Sequence, residues 1–296
     1  MLHRFLGWLT DNSFRFYLFA SLVTLLGLVI AYLSIGPAPE NHVVISAGRE
    51  DGAYYQYAKR YAEILTYEGV ELDVLSSSGS VENLQRLRDT DSDVDLAFVQ
   101  GGIAEAEDAE TLVSLASLYF EPLWFFYRTA VAGEIDRVIQ LGGHRLAVGG
   151  EGSGTQAVVR RLMAENGLEV TARTALSLGG GDAADALIRG EIDGAFFIAA
   201  PSSPTLQTLF EQPDVRLMSF ERADAYAMRY QFLSKVEVPR GTLDLRRDIP
   251  PQDIKMVATT ANLVARKTLH PALVDLLLAT AIRVHGKGGM FERRDQ

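Results

Sequence analysis

RLAVGG (145–150), TQAVVRRLMAENG (155–167), TALSL (174–178), DAADALIRG (182–190) and DGAFFIA (193–199) make up the stretch whose pattern decides the fold. Short aliphatic or β-branched runs alternate with amphipathic segments of helical length, and Gly167 supplies a helix stop. Upstream, the same order occurs once more. VVIS (43–46) precedes a segment with Tyr54, Ala58, Tyr61, Ala62 and Leu65 at helical spacing. LDVLS (72–76), VENLQRLR (81–88) and VDLAFVQ (94–100) follow. Each copy closes on an acidic strand start, Asp93-Val94-Asp95 in the first and Asp193-Gly194 in the second. Alternating strand and helix predicts an α/β architecture with parallel sheets covered on both faces. Two copies of one unit predict two lobes around a cleft, with the carboxyl ends of the strands facing it.

The chain between the copies, ASLYFEPLWFFYR (116–128), reads as a strand crossing between lobes, interrupted at Pro122. A second crossing is expected between Lys235 and Lys255, where Pro239, Pro250 and Pro251 cluster. Beyond it, residues 254–286 read as a strand and then a helix from Pro271 to the stop at Gly286. Lobe 1 is expected over 42–125, with 240–296 returning to it, and lobe 2 over 126–239.

Ahead of the body, Phe16 to Gly36 holds no ionisable acid or base. As a helix it would extend about 31 Å, the thickness of a bilayer core. It is expected to be one uncleaved transmembrane helix over 16–36. Arg4 and Arg15 precede it and Glu40 follows it, which predicts residues 1–15 in the cytoplasm and the body outside the inner membrane. Residues 2–14 are expected along the cytoplasmic interface, and Pro37 and Pro39 in a stiff linker.

Composition narrows the function. The chain has 296 residues, a net charge of −10 and no cysteine. The acidity disfavours nucleic-acid binding, which needs a basic face. Lack of cysteine removes disulfides, thiolate metal sites and cysteine nucleophiles. The five histidines are scattered, so neither a metal nor a cofactor is expected.

Four turns could carry chemistry. SAGREDGAYYQ (46–56) and SSSGSVEN (76–83) lie in the first copy, GGEGSGTQ (149–156) and SLGGGDAAD (177–185) in the second. Each leads into a helix, and the last is expected to start its helix with Asp182 as N-cap. Helix N-termini present unbonded N–H groups and partial positive charge, so such turns suit an anion. Enzymatic motifs fail in detail: Thr155 stands where a P-loop needs lysine, and Glu151 and Thr155 stand where a nucleophile elbow needs glycines. Tyr54 is expected as a pocket wall, Gln100 at a pocket or hinge, and Glu121 as a hinge contact more than a ligand contact.

Taken together, GxYY (52–55), SxGSVENL (77–84), DLAFVQ (95–100), SLYFEPL (117–123), GSGT (152–155) and the DGAFF strand resemble the TAXI family. These are extracytoplasmic solute receptors of TRAP transporters, with the two-lobed periplasmic binding-protein fold. The resemblance covers about residues 42–286 and is similar in its anchor to a membrane-anchored subgroup. It implies capture of a small organic anion, a carboxylate or amino acid, for TRAP-type membrane transport subunits. By motif, the pocket would comprise Tyr54, Ser78, Gly79, Ser80, Asn83, Gln100, Ser153, Gly154 and Thr155. The chain departs from the family's small-residue first turn at Arg49, Glu50 and Asp51. Arg49 either contacts the ligand or marks a different specificity. The other readings are a ligand sensor using the same cleft and, ranked last, an enzyme on the same scaffold.

Overall fold

The β-branched runs form strands and the amphipathic segments form helices, in a computed structural model that describes residues 12–34, 40–131, 133–201 and 203–291. Residues 12–34 form one helix, α1 (Asn12–Ser34), and the chain from Glu40 onward forms a separate unit. That second unit is two-lobed.

In the first lobe, β1 (His42–Ser46), α2 (Ala53–Tyr67), β2 (Glu71–Leu75), α3 (Ser80–Arg88) and β3 (Leu96–Gln100) follow the expected order. Strand β4 (Leu112–Arg128) then runs out of this lobe into the other. There, β5 (Leu146–Ala147), α4 (Gly154–Glu165), β6 (Ala175–Leu176), α5 (Gly180–Ile188) and β7 (Gly194–Ile198) repeat the arrangement. After them come α6 (Pro204–Phe210), β8 (Val215–Leu217), α7 (Ala223–Arg229) and β9 (Ser234–Val238). Strand β10 (Ile254–Arg266) returns to the first lobe, and α8 (Pro271–His285) packs there, opened by Pro271 and ended at Gly286.

The strand order runs β2-β1-β3-β10-β4-β7-β5-β6. Read outward from its middle, each lobe has the same parallel trio, flanked by a long antiparallel strand that reaches across from the other lobe. The sheets are therefore mixed, where parallel sheets were expected. Among the described residues two strands, β4 and β10, cross between lobes, and both run antiparallel to their neighbours. Strand β4 pairs with β10 up to Pro122 and with β7 from Leu123 onward. Strand β10 pairs with β9 up to Ala258 and with β3 from Ala261. Each crossing thus falls within a continuous strand, which can twist without breaking either lobe.

The run Leu123–Tyr127 shows how the strand serves two layers. Leu123, Phe125 and Tyr127 enter one apolar cluster with Leu146, Val159 and Phe196. Trp124 and Phe126 enter the opposite one with Ala183, Leu187 and Phe197. Alternate side chains of a strand point to opposite faces, so a strand covered on both faces reads as unbroken apolar sequence. The first lobe is built the same way, with Ile45, Tyr61 and Phe98 on one face and Leu84, Leu87 and Val99 on the other.

Two expectations are corrected. Asp182 does not cap α5: the helix starts at Gly180 with Gly179 at the N-cap, and Asp182 lies in its first turn. Gly180 adopts φ 56°, which lets the chain enter the helix earlier than a side-chain cap would. The transmembrane helix and the single-pass inner-membrane location are also withdrawn. Among the described residues no helix is long and apolar enough to cross a membrane. The expected lipid contact through 16–36 goes with them. The expectations for residues 2–11 and for the Pro37–Pro39 linker lie outside the described residues.

Candidate functional site

The site is built where the turn before α3 meets the turn before α4. Gly79, the N-cap of α3, has φ 131°, a conformation open to glycine. A Cβ placed there would lie 3.3 Å from Ser153 Cα, and one on Gly152 would lie 2.6 Å from Ser78 Oγ. One on Gly154 would overlap Gln100 Oε1 and come within 3.0 Å of Gln100 Cδ. Glycine at Gly79 lets the two backbones approach, and at Gly152 and Gly154 it leaves room for the Ser78 and Gln100 side chains of the other lobe. The first N–H groups of α4, at Gly154 and Thr155, open at this junction, as do those at the start of α3.

The nine residues singled out from sequence fall into different roles. Ser153 is the N-cap of α4: its Oγ accepts from Gln156 N at 3.2 Å and donates to Gly150 O at 2.6 Å. Its hydroxyl proton is therefore engaged by the scaffold. Ser78 is engaged too, because its N–H and Oγ both donate to Glu82 Oε2 at 2.7 Å. Ser80 is buried, and its Oγ accepts from Gln100 N at 3.0 Å.

Asn83 is fully buried and its side-chain amide is saturated. Nδ2 donates to Ala47 O and, at 2.8 Å, to Phe98 O; Oδ1 accepts from Ser46 Oγ at 2.7 Å and Ser77 Oγ at 2.6 Å. It ties the ends of β1 and β3 to the turn before α3. A side chain with all its hydrogen-bonding capacity used this way positions the site and has nothing left for a ligand.

Tyr54, Gln100 and Glu121 do come together. Glu121 Oε2 accepts from Tyr54 Oη at 2.8 Å and from Gln100 Nε2 at 3.1 Å. Gln100 is 4% exposed, and its Oε1 has no hydrogen-bond partner. The bond to Glu121 fixes the amide so that this oxygen faces Gly154, on the opposite lobe. Thr259 stands directly opposite Glu121 in the β4–β10 pairing, and its buried Oγ1 is also unpartnered. Sequence reading placed Gln100 here but gave no sign of Thr259, because a threonine in an apolar strand has no motif of its own.

Among the described residues, Glu121 has no basic side chain against it. Burial pushes its carboxyl from the ordinary 4.5 up to about 7, against the two hydrogen bonds, which favour the charged form. Burial, and then the neighbouring Glu121, push the Tyr54 phenol well above its usual range. Behind them, Tyr57, Tyr119 and His285 pack ring on ring, and burial holds His285 neutral, down to about 4. The signs of the two shifts oppose. A raised carboxyl makes stability fall as pH rises from about 4.5 to about 7, whereas a depressed histidine makes it rise between about 4 and 6.5.

Arg49 sits at the rim in an exposed pair with Asp51 at 3.1 Å. Asp51 is the main cause of its raised pKa, and the field of Asp182 on the second lobe adds to it. Among the described residues, no group of three or more His, Asp or Glu is placed to hold a metal ion.

Two lobes joined by two crossing strands, with helix-opening turns meeting between them, define the type II periplasmic-binding class of fold. Solved structures agree on that fold. The chain is similar to the periplasmic aliphatic sulphonate binding protein SsuA from Escherichia coli, at 17% identity and TM-score 0.52, covering 84% of this chain and 74% of that one. It is similar to an amino acid ABC transporter substrate-binding protein from Streptococcus pneumoniae bound to L-arginine, at 16% identity and TM-score 0.50, over 82% and 89%. It is also similar to the Synechocystis CcmR regulatory domain in complex with 2-PG, at 15% and 0.50, over 82% and 97%. No curated protein matches the chain. The profile of the NMT1-like family matches residues 45–281, and the chain belongs to that family.

Proposed function

We propose that the protein is a solute receptor that closes its two lobes on a small organic anion. The observation that carries this reading is the meeting of the turns at 77–80 and 152–155, one from each lobe, with helix N-termini opening between them. Such ends receive a carboxylate through backbone N–H groups, with no lysine or arginine needed. The direct contacts are proposed at Gly79, Ser80, Gly154 and Thr155, with Tyr54 and Gln100 as walls. Ser78, Asn83 and Ser153 shape the turns.

The lobe limits, expected at 42–125 and 126–239, take two adjustments: the outgoing chain enters the second lobe at Leu123, which packs with Phe125 in that lobe's core. The returning chain crosses near Ala258–Thr259, because Val236, Val238, Ile254 and Met256 pack in the second lobe's core. The motif order from Gly52 to Phe197 supports the finer assignment to TAXI receptors that serve a TRAP-type membrane component. A non-enzymatic role fits the engaged hydroxyl of Ser153, the one serine in the glycine turn. The sensor reading draws support from the regulatory domain among the similar folds.

Native mass spectrometry of the gently purified full chain tests the receptor reading. One small acid per chain is the expected result. A bare chain that also takes up no acid from a metabolite pool would overturn it.

A further inference from the structure

We infer that Glu121, with Gln100 Oε1 and Thr259 Oγ1, forms a second subsite at the floor of the cleft, which takes an N–H or O–H donor group of the ligand. The inference rests on the receptor reading above and specifies the ligand further: an acid that also carries a protonated amine or a hydroxyl.

The argument starts from what is left unbonded. Buried polar atoms in native proteins are almost always hydrogen-bonded, so each exception calls for a cause. Here two buried oxygens without a partner, on Gln100 and Thr259, flank one buried carboxyl. They come from β3 and β10, and the carboxyl comes from the end of the β4 segment paired to β10, just before β4 crosses to the second lobe. The bonds that Glu121 accepts from Tyr54 and Gln100 both reach Oε2, which leaves Oε1 outside them. Gln100 Oε1 abuts Gly154, so the acceptors lie at the lobe junction, next to the proposed anion position at the start of α4.

An anion alone satisfies neither Gln100 Oε1 nor an ionised Glu121, which only accept, whereas the Thr259 hydroxyl can accept or donate. A group with several donors can satisfy them all, and an ammonium bears three. The titratable groups facing Glu121 are Tyr54 on α2 and Tyr119 on β4, with Tyr57 and Tyr61 of α2 and His285 of α8 gathered around Tyr119. None of them is cationic near neutrality, so the carboxylate's counter-charge has to come with the ligand. Arrival of an ammonium would favour ionised Glu121, and the proton it holds would leave to solvent.

Calorimetry on the full chain at pH 7 tests this with succinate, malate and aspartate, and with butyrate, 2-hydroxybutyrate and 2-aminobutyrate. The amine member of a series is expected to bind at least tenfold tighter than its bare acid. In buffers of different ionisation heat it should release about half a proton, given a carboxyl at about 7. The hydroxyl member should release none. Glu121→Gln should level the series and abolish the release, while gaining stability over the wild type at pH 8. Thr259→Val should weaken the amine preference without touching proton release. A bare acid that binds as tightly as its amine, or a preference that survives in Glu121→Gln, would overturn the subsite and leave the receptor reading standing. So would a co-purified acid with neither amine nor hydroxyl. If no probe binds and no acid co-purifies, the receptor reading fails, and this inference with it.

Discussion

Asn83→Ala is expected to cost about 3–5 kcal/mol of folding stability, because several buried groups lose their partner at once. The backbone carbonyls of Ala47 and Phe98 would lose their donor, and the hydroxyls of Ser46 and Ser77 their acceptor. Each buried polar group left unsatisfied costs about 1–3 kcal/mol, and the serines recover part of that by turning elsewhere. Urea unfolding of the variant measures the loss. A midpoint close to that of the wild type would mean that water replaces the amide freely, and that Asn83 belongs to a wet ligand pocket after all.

Gly154→Val is expected to leave folding intact and to weaken ligand binding about a hundredfold or more. The position starts α4 with an ordinary φ, so a side chain there brings no backbone strain. What it meets is the other lobe: its Cβ would overlap the Gln100 amide across the junction. The turns could then no longer approach, and the ligand would keep its contacts to one lobe only. A hundredfold loss corresponds to about 2.7 kcal/mol, the worth of one or two hydrogen bonds to a charged group. Calorimetry with the acid found on the native protein, alongside urea unfolding, separates binding from stability. Wild-type affinity in this variant would show that the lobes do not need to meet at 154.

Much of the fold was legible because strand and helix leave different periods. Both copies of the strand–helix series, the crossing at Pro122 and the closing helix from Pro271 to His285 follow from spacing and from proline and glycine punctuation. Strand direction was not legible. Nothing local in KMVATTANLVAR marks it as antiparallel; that follows from which lobe the chain must return to. The elements between Pro204 and Val238 were also missed, since strands as short as Val215–Leu217 carry no measurable period. The start of α5 was misplaced because Asp182 has the chemistry of a cap, while three successive glycines let the helix begin earlier.

The site was legible as turns and less so as atoms. Sequence showed that GSGT and SxGSVENL open helices, and the structure brings them together. It could not show that Asn83 and Ser153 use their polar atoms inside their own lobes, because hydrogen-bond saturation depends on neighbours distant in the chain. Glu121 stood out as one carboxylate in an apolar run, and the cost of burying it was the right signal. What the run could not supply was its company: Tyr54 is 67 residues away and Gln100 is 21.

Small-angle scattering on the full chain, stripped of small molecules and then saturated with the co-purified acid, tests the central claim most directly. Two lobes that close on a ligand should give a radius of gyration that falls on saturation, and Gly154→Val should remove the contraction. Identical scattering curves with and without saturating ligand would contradict closure, and with it the account of a receptor that holds its ligand between the turns at 77–80 and 152–155.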